Sequence, residues 1–417
     1  MSNAVQNRTG SRFKVSFPNF PSWDITPQNI KLHQETGKQD IVELTYPRFS
    51  EFYFKALKTG VPVLITWSND KVSETFYGYI YDVSSTVRQG LTKPVLVRCI
   101  GASLALKDGG NKIWKAKTAP DIVTDIAKSL KLKPFVTPHK MIFNQQSLVG
   151  HTRWEKIQEL AGRLGYVAQM NKTELHFHPI DKMIDRFMTI IPIMSFNKSY
   201  GNAYSEVLPQ TLDVFKPRLG DFSDSRENSR TDKSISGIDP VTGKTYTVTS
   251  SPNGVGKKLR EDTRDPLFKE TLPGTVTASP AMAQTIVDAH AQLSRFSIYA
   301  DGFGQGDPRI APYRTIEISG TGETSDGFWV IKKAVHFLTY DGRYQVDFTC
   351  MTDGLGANVP SATRPSLAGS VPVRNVQQEL ATGGPSTPTS SRLNSPAPMI
   401  KANAGGYKVT PNRWVSN

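Results

Sequence analysis

Seven histidines, His33, His139, His151, His176, His178, His290 and His336, are the side chains best suited to metal or proton chemistry. Only His176 and His178 have a ligating spacing. Two residues apart on a strand, they point to one face. The nearest following acid, Asp181, lies beyond Pro179. With no third ligand at hand, the pair reads as surface or partly buried histidine. Glu155 and Glu159 are four apart on a predicted helix, but Glu155 has a capping position and Glu159 has polar neighbours, so a solvated helix face is the ordinary reading. Gly302-Phe303-Gly304-Gln305-Gly306-Asp307 superficially matches a phosphate-binding loop. It precedes Pro308 and a strand instead of opening a helix, so the phosphate mechanism fails and a strand-connecting loop is expected. Cys99 and Cys350 are the only two cysteines. Their separation excludes a C-x-x-C site or a disulfide framework, and buried free thiols are expected. No G-x-S-x-G, H-E-x-x-H or P-loop pattern occurs. No catalytic residue, cofactor or metal is therefore assigned.

These side chains sit in a chain of 417 residues, 38% apolar and 21% charged, which is room for two to four globular domains. Gly 32, Pro 28 and 10% aromatics favour strands and turns over long helices. Net charge is +13. The densest basic runs, Lys112 to Lys117, Lys128 to Lys133 and Lys257-Lys258-Leu259-Arg260, are short and spread out. Diffuse charge suits solubility and subunit contacts better than a nucleic-acid groove. Trp67, Trp114, Trp154 and Trp329 fall in or beside apolar-periodic segments and read as core, and with Trp23 and Trp414 they form no carbohydrate platform. No apolar run approaches membrane-spanning length, and Met1 to Asn7 has no signal-peptide core. Folding in a cytoplasm is expected, with any other compartment reached as part of an assembly.

Residues 1–11 read as a flexible arm. Alternation at Phe13, Val15 and Phe17, then runs at Ile41 to Tyr46, Val61 to Trp67, Thr75 to Val83 and Val95 to Gly101, predict a first antiparallel β-barrel over 12–107, with one short helix between Phe49 and Leu57. A small α+β domain is expected over 108–188. Thr118-Ala119-Pro120-Asp121 and Thr152-Arg153-Trp154-Glu155 are helix starts, Gly165 is a C-terminal cap, and Tyr166 to Met170 with Leu175 to Phe177 form a hairpin. Residues 189–353 predict a second barrel, with a helix opening at Ser279-Pro280, strands at Phe296 to Ala300, Thr315 to Ser319, Gly327 to Lys333, His336 to Tyr340 and Tyr344 to Thr349, and a hairpin turn at Asp341-Gly342. Within it lies a polar insertion, 221–277, too poor in apolar surface to fold alone; its composition allows disorder or an extended insertion with a hairpin. Residues 354–417 read as an extended or flexible tail. Aromatics return near its end, so Tyr407, Arg413 and Trp414 are predicted to dock on a partner.

Three passages carry a family resemblance. Val97-Arg98-Cys99-Ile100-Gly101-Ala102-Ser103-Leu104-Ala105-Leu106 resembles the end of a first hub barrel. Thr118 to Leu130, then Gln145-Gln146-Ser147-Leu148 and Trp154 to Tyr166, resembles the middle segment of tail hub proteins: a helix, a glutamine-containing strand, a helix ending in Leu-Ala-x-x-x-Gly, and a hairpin. Gly327-Phe328-Trp329-Val330-Ile331-Lys332-Lys333-Ala334-Val335-His336 is similar to the late strand pair of the second barrel. The family is the phage tail baseplate hub of contractile tails, with late control protein D and the type VI secretion spike base. The resemblance implies a mainly β fold with an α+β insert, built from two tube-like barrels. It implies a structural virion protein without enzymatic activity: a homotrimer forming a pseudo-sixfold ring between tail tube and central spike. Its partners would be the tube protein, spike protein, baseplate wedge proteins and a tape measure protein, with DNA only in transit at genome ejection. The long insertion and the missing needle repeat depart from the family, so a separate spike is implied. The alternatives are a hub with an embedded peptidoglycan hydrolase, drawing on Asp221, Asp224, Glu227 or Asp232, and a host-glycan-binding protein.

Overall fold

The computed structural model describes residues 12–22, 25–47, 55–69, 72–88, 91–187, 190–195, 210–218, 230–239, 242–262, 264–266, 268–272 and 279–358. Residues 1–11, most of the helix expected at Phe49 to Leu57, and Tyr407, Arg413 and Trp414 lie outside these.

The first β module comprises β1 (Arg12–Ser16), β2 (Asn29–Glu35), β3 (Ile41–Tyr46), β4 (Pro62–Ser68), β5 (Ser73–Arg88) and β6 (Leu91–Gly101). After a 3-10 turn come β7 (Ile113–Thr118), α1 (Ala119–Ser129), β8 (Lys133–Val136), β9 (Ile142–Ser147), α2 (Arg153–Leu164), β10 (Tyr166–Asn171), β11 (Glu174–Pro179) and α3 (Ile180–Phe187). Then follow β12 (Ile190–Ser195), β13 (Gln210–Arg218), β14 (Thr231–Ile238), β15 (Thr245–Ser250), β16 (Arg260–Asp262), β17 (Phe268–Thr271), α4 (Pro280–Arg295), β18 (Ile298–Gln305), β19 (Thr315–Ser319), β20 (Gly327–Thr339), β21 (Tyr344–Thr352) and β22 (Leu355–Asn358).

The two β modules are halves of one twelve-stranded sheet in the order β1-β4-β5-β6-β3-β2-β20-β19-β12-β13-β18-β21. An added β20–β21 pairing closes the second half into a six-stranded barrel, while the first half is an open curl ending at β1. The junction is β20. Its first residues pair with β19 (Ile316 opposite Trp329) and its later ones with β2 (Leu32 opposite His336), so one strand serves both halves. The change comes at a bulge between Ile331 and Lys333. A bulge inserts one unpaired residue and bends the strand. This explains why two strands expected at Gly327 to Lys333 and His336 to Tyr340 are one. The sheet is antiparallel except at β12, which runs parallel to β13 and β19.

Strand alternation places the cores. Ile30, Leu32, Val42, Leu44, Val97 and Cys99 fill the first half, and Ile316, Trp329, Ile331, Val346, Phe348 and Cys350 the second. Both cysteines are free and buried. The Gly302 to Gly306 run, expected to be a loop, is mostly strand: Gly302, Gly304 and Gln305 lie in β18, paired with β21. A Cβ at Gly302 would lie 2.3 Å from Phe348, and one at Gly306 2.1 Å from Tyr344. Each glycine is the floor on which an aromatic ring lies, which is the packing reason for the motif.

Both helix starts of the α+β unit are capping boxes, Thr118 with Asp121 and Thr152 with Glu155. α2 ends on Gly165 at φ +67°, and a Cβ there would sit 2.6 Å from the backbone nitrogen of His290 in α4. The core of this unit joins Ile122, Ile126, Ile157, Leu160 and Phe177 with Ile286 and Val287 of α4 and Ile235 of β14. The polar insertion therefore includes an ordered three-stranded sheet, β15-β14-β17. It borrows the apolar surface it lacks from the α+β unit, and the extended-hairpin expectation is the one realised.

Candidate functional site

Among the described residues no group of three or more His, Cys, Asp or Glu side chains is set to hold a metal. His176 and His178 are not surface residues. They are 1% and 8% exposed, with ring centroids 5.9 Å apart. His176 stacks on Phe135 at 5.1 Å and meets Phe187 of α3 edge-on at 4.8 Å. Burial, reinforced by Arg186, holds His176 down at about 3. The pair is neutral packing material at the contact of β11 with α3. Glu159 also departs from expectation: it accepts from buried Lys156 at 2.8 Å and pairs with Arg163 at 2.6 Å. Burying the Lys156 ammonium, which also donates to Gln146 at 2.6 Å, requires these partners. Trp67, Trp114 and Trp329 are buried, while Trp154 packs half-buried at the edge of the core.

The insertion is clasped by buried charge. Arg230, Arg260 and Arg295 are 0%, 0% and 1% exposed. The Asp353 carboxylate accepts from the amides of Leu259 at 2.8 Å and Arg260 at 3.2 Å, with the Arg295 guanidinium 3.5 Å away. Arg295 also donates to Asp181 of α3 at 2.7 Å and to the Val255 carbonyl at 2.9 Å. Arg260 lies over the Trp329 ring and donates to the Thr324 carbonyl at 2.9 Å. Of the acids offered for a hydrolase, Asp232 stands opposite Lys269 in the β14–β17 register; Asp221, Asp224 and Glu227 lie outside the described residues.

The sheet face opposite the cores is the candidate interaction surface. One row across strands runs Arg98, Glu43, Lys31, Phe337, Gln345 and Gln305. The next runs His33, Val335, Asp347, Phe303 and Val214. Several cations on this face are matched locally. Arg98 reaches Glu43 at 3.1 Å and Asp82 at 3.2 Å, Arg218 reaches Asp301 at 2.6 Å, and Lys31 lies 5.2 Å over the Phe337 ring. Such pairing offsets these charges locally. At the barrel end α3 covers the same face, packing Met183 and Ile184 with Val330 and Met351. Elsewhere it is open in part, with Phe337 36% and Val214 43% exposed but Val335 buried.

Sequence reasoning missed β2, although Ile30-Lys31-Leu32-His33 alternates, and with it the strand that joins the halves. It also missed α3 and the role of Asp353. Asp353 and Asp40, both tied into the packing, look like ordinary loop acids in one dimension.

No protein-family model matches the sequence, and no curated protein matches it. Solved structures do. The 43 kDa tail protein of prophage MuSo2 from Shewanella oneidensis superimposes with a TM-score of 0.54 at 14% identity, over 83% of this chain and 99% of that one. The tail protein from Neisseria meningitidis MC58 gives 0.56 at 11%, over 83% and 98%. The E. coli c3393 protein, a component of the type VI secretion system with structural similarity to the T4 bacteriophage tail proteins gp27 and gp5, gives 0.51 at 10%, over 85% and 80%. The mainly β architecture read from the sequence and the resemblance it carried thus meet in one conclusion: this chain has the fold of phage tail and type VI secretion hub-like proteins.

Proposed function

We propose that the chain is the structural, non-enzymatic baseplate hub of a phage or phage-derived tail. Three copies form a ring between the tail tube and a central spike, through which genome or effector passes. The observation that carries this reading is that two six-stranded β modules stand side by side in one sheet. Two such modules per chain become six round a threefold axis, the arrangement needed to adapt a sixfold tube to a threefold spike. The partly open, locally charge-paired face is the surface suited to such a channel, since local pairing weakens its hold on a polyanion. Among the described strands β1 stands at the end of the sheet, an edge suited to pairing at a subunit contact. The likeness in fold to tail proteins supports the same place in a virion tail.

On this reading the chain divides into arm 1–11, first barrel 12–107, α+β domain 108–188, second barrel 189–353 and tail 354–417. Tyr407, Arg413 and Trp414 dock on another tail component. Wedge and tape measure proteins complete the set of neighbours. The test is co-assembly with the tail-tube protein of the same particle, followed by electron microscopy. Rings capping tube ends are expected. Tubes that stay uncapped at saturating concentrations of the chain would overturn the proposal.

A further inference from the structure

The turn between β2 and β3 is tied to three bodies at once. Gly37, at φ +69°, donates its amide to Gln169 Oε1 of β10 at 2.9 Å and accepts at its carbonyl from Gln158 Nε2 of α2 at 3.1 Å. Thr36 donates to the Lys332 carbonyl of β20 at 2.9 Å. The Asp40 carbonyl accepts from Gly101, at the end of β6, at 2.9 Å. Both polar groups of the Gly37 peptide units on this turn are therefore committed to the α+β unit, and the flanking residues to the two β halves.

The Asp40 side chain is the weak point of this clamp. One carboxyl oxygen, Oδ2, accepts from Gln34 at 3.1 Å. The other, Oδ1, is buried without a partner, as is the Ser103 hydroxyl. Both residues line a cleft of about 60 Å³ between the three bodies. The charged and titratable groups lining it from other elements are Glu74 and Tyr77 of β5, Lys172 in the β10–β11 turn and Arg314 before β19. The cations are already engaged: Arg314 reaches Glu74 at 2.9 Å and Lys172 reaches it at 3.4 Å. On the turn itself, Lys38 pairs with Glu35 at 2.9 Å. Among the described residues lining the cleft, no cation is left to compensate an ionised Asp40, and a buried unpaired carboxylate is costly.

We propose that Asp40 is a proton-controlled latch: neutral, it lets the β2–β3 turn stay clamped to all three bodies, and on losing its proton to solvent it favours a turn released from the α+β unit and from β20. Burial pushes its carboxyl up to about 7, with the Gln34 bond the one opposing influence. The sign follows. The clamped turn holds the proton more tightly than the released one, so release grows as pH rises from the ordinary carboxylate range and levels off above about 7. The latch does not depend on ring assembly.

The test is hydrogen exchange of residues 34–40 in the full-length chain, read by mass spectrometry and corrected for the intrinsic pH dependence. In the wild type, protection should fall about tenfold between pH 6 and pH 8. In Asp40→Asn it should not change over that range. In Gln34→Leu, which removes the bond that opposes burial, the levelling point should move to higher pH, an effect that a merely structural role for Asp40 does not produce. Flat protection in the wild type, an equal fall in Asp40→Asn, or an unmoved levelling point in Gln34→Leu would overturn the latch.

Discussion

Acid should unfold this protein through its histidines, and His336 allows the size of the effect to be worked out. The ring is fully buried where β20 joins the two halves. Nε2–H donates to the Ile310 carbonyl at 2.9 Å, which leaves Nδ1 to accept from the Tyr344 hydroxyl at 2.9 Å. Both bonds suit the neutral ring, and burial holds its pKa down from 6.5 to about 4. The folded state therefore binds fewer protons than the unfolded state between those values. Its contribution is fully present above pH 6.5 and is lost as pH falls towards 4. At about 1.4 kcal/mol per pKa unit the loss is about 3 kcal/mol, a large share of a typical domain's stability. Replacing His336 with Gln removes the titration and keeps an N–H for Ile310. Urea unfolding followed by tryptophan fluorescence at pH 7, 6, 5 and 4 would compare the two; Trp67 lies 6.2 Å from the ring and reports locally. His336→Gln should be less stable at pH 7 but lose about 3 kcal/mol less than the wild type on going to pH 4. His176, His178 and His290, held at about 3, about 4 and about 4, act in the same direction in both proteins and cancel in the difference. Asp40, raised to about 7, works oppositely in both. Parallel pH curves for the two proteins would refute the reasoning.

Further outcomes follow from packing and charge. Gly302→Val, forced against the Phe348 ring, should cost about 1–3 kcal/mol or more and lower the melting temperature, measured by calorimetry. Asp353→Ala leaves the amides of Leu259 and Arg260 without their acceptor, while Arg295 keeps Asp181, for a loss of about 1–3 kcal/mol per stranded amide; limited proteolysis should then cut first within 242–262. Thr152→Ala removes one capping box and should cost about 1 kcal/mol in chemical denaturation, with no effect on assembly. Glu74→Gln frees Arg314 and Lys172 at a half-exposed site, so the expected loss is no more than about 1 kcal/mol.

The parts of the fold legible in one dimension were those with local causes. Thr118 with Asp121, Thr152 with Glu155 and Ser279 before Pro280 announce their helices because caps act within one turn. Ile41–Tyr46 and Thr315–Ser319 stand where alternation put them. Gly342 turns the last hairpin at φ +87°. What stayed hidden depends on residues far apart. The sharing of β20 between β2 and β19 is a pairing decision. So is the folding of the insertion, whose Ile235 is buried only because α4 and the α+β unit supply the other side of its core. The glycines of β18 looked like a loop because their reason for being glycine is the aromatic strand beside them. Arg260 read as part of a diffuse basic run and Arg230 and Arg295 drew no reading, since nothing nearby in sequence announces that Asp353 will be buried with Arg295.

The central claim is that the two β halves exist in order to build a closed ring. Light scattering of the purified full-length chain across a range of concentrations tests it most directly. Three copies of 46.1 kDa give about 138 kDa, and that mass is expected at micromolar concentration or on addition of the tube protein. A particle that keeps the mass of a single copy under both conditions would contradict the account.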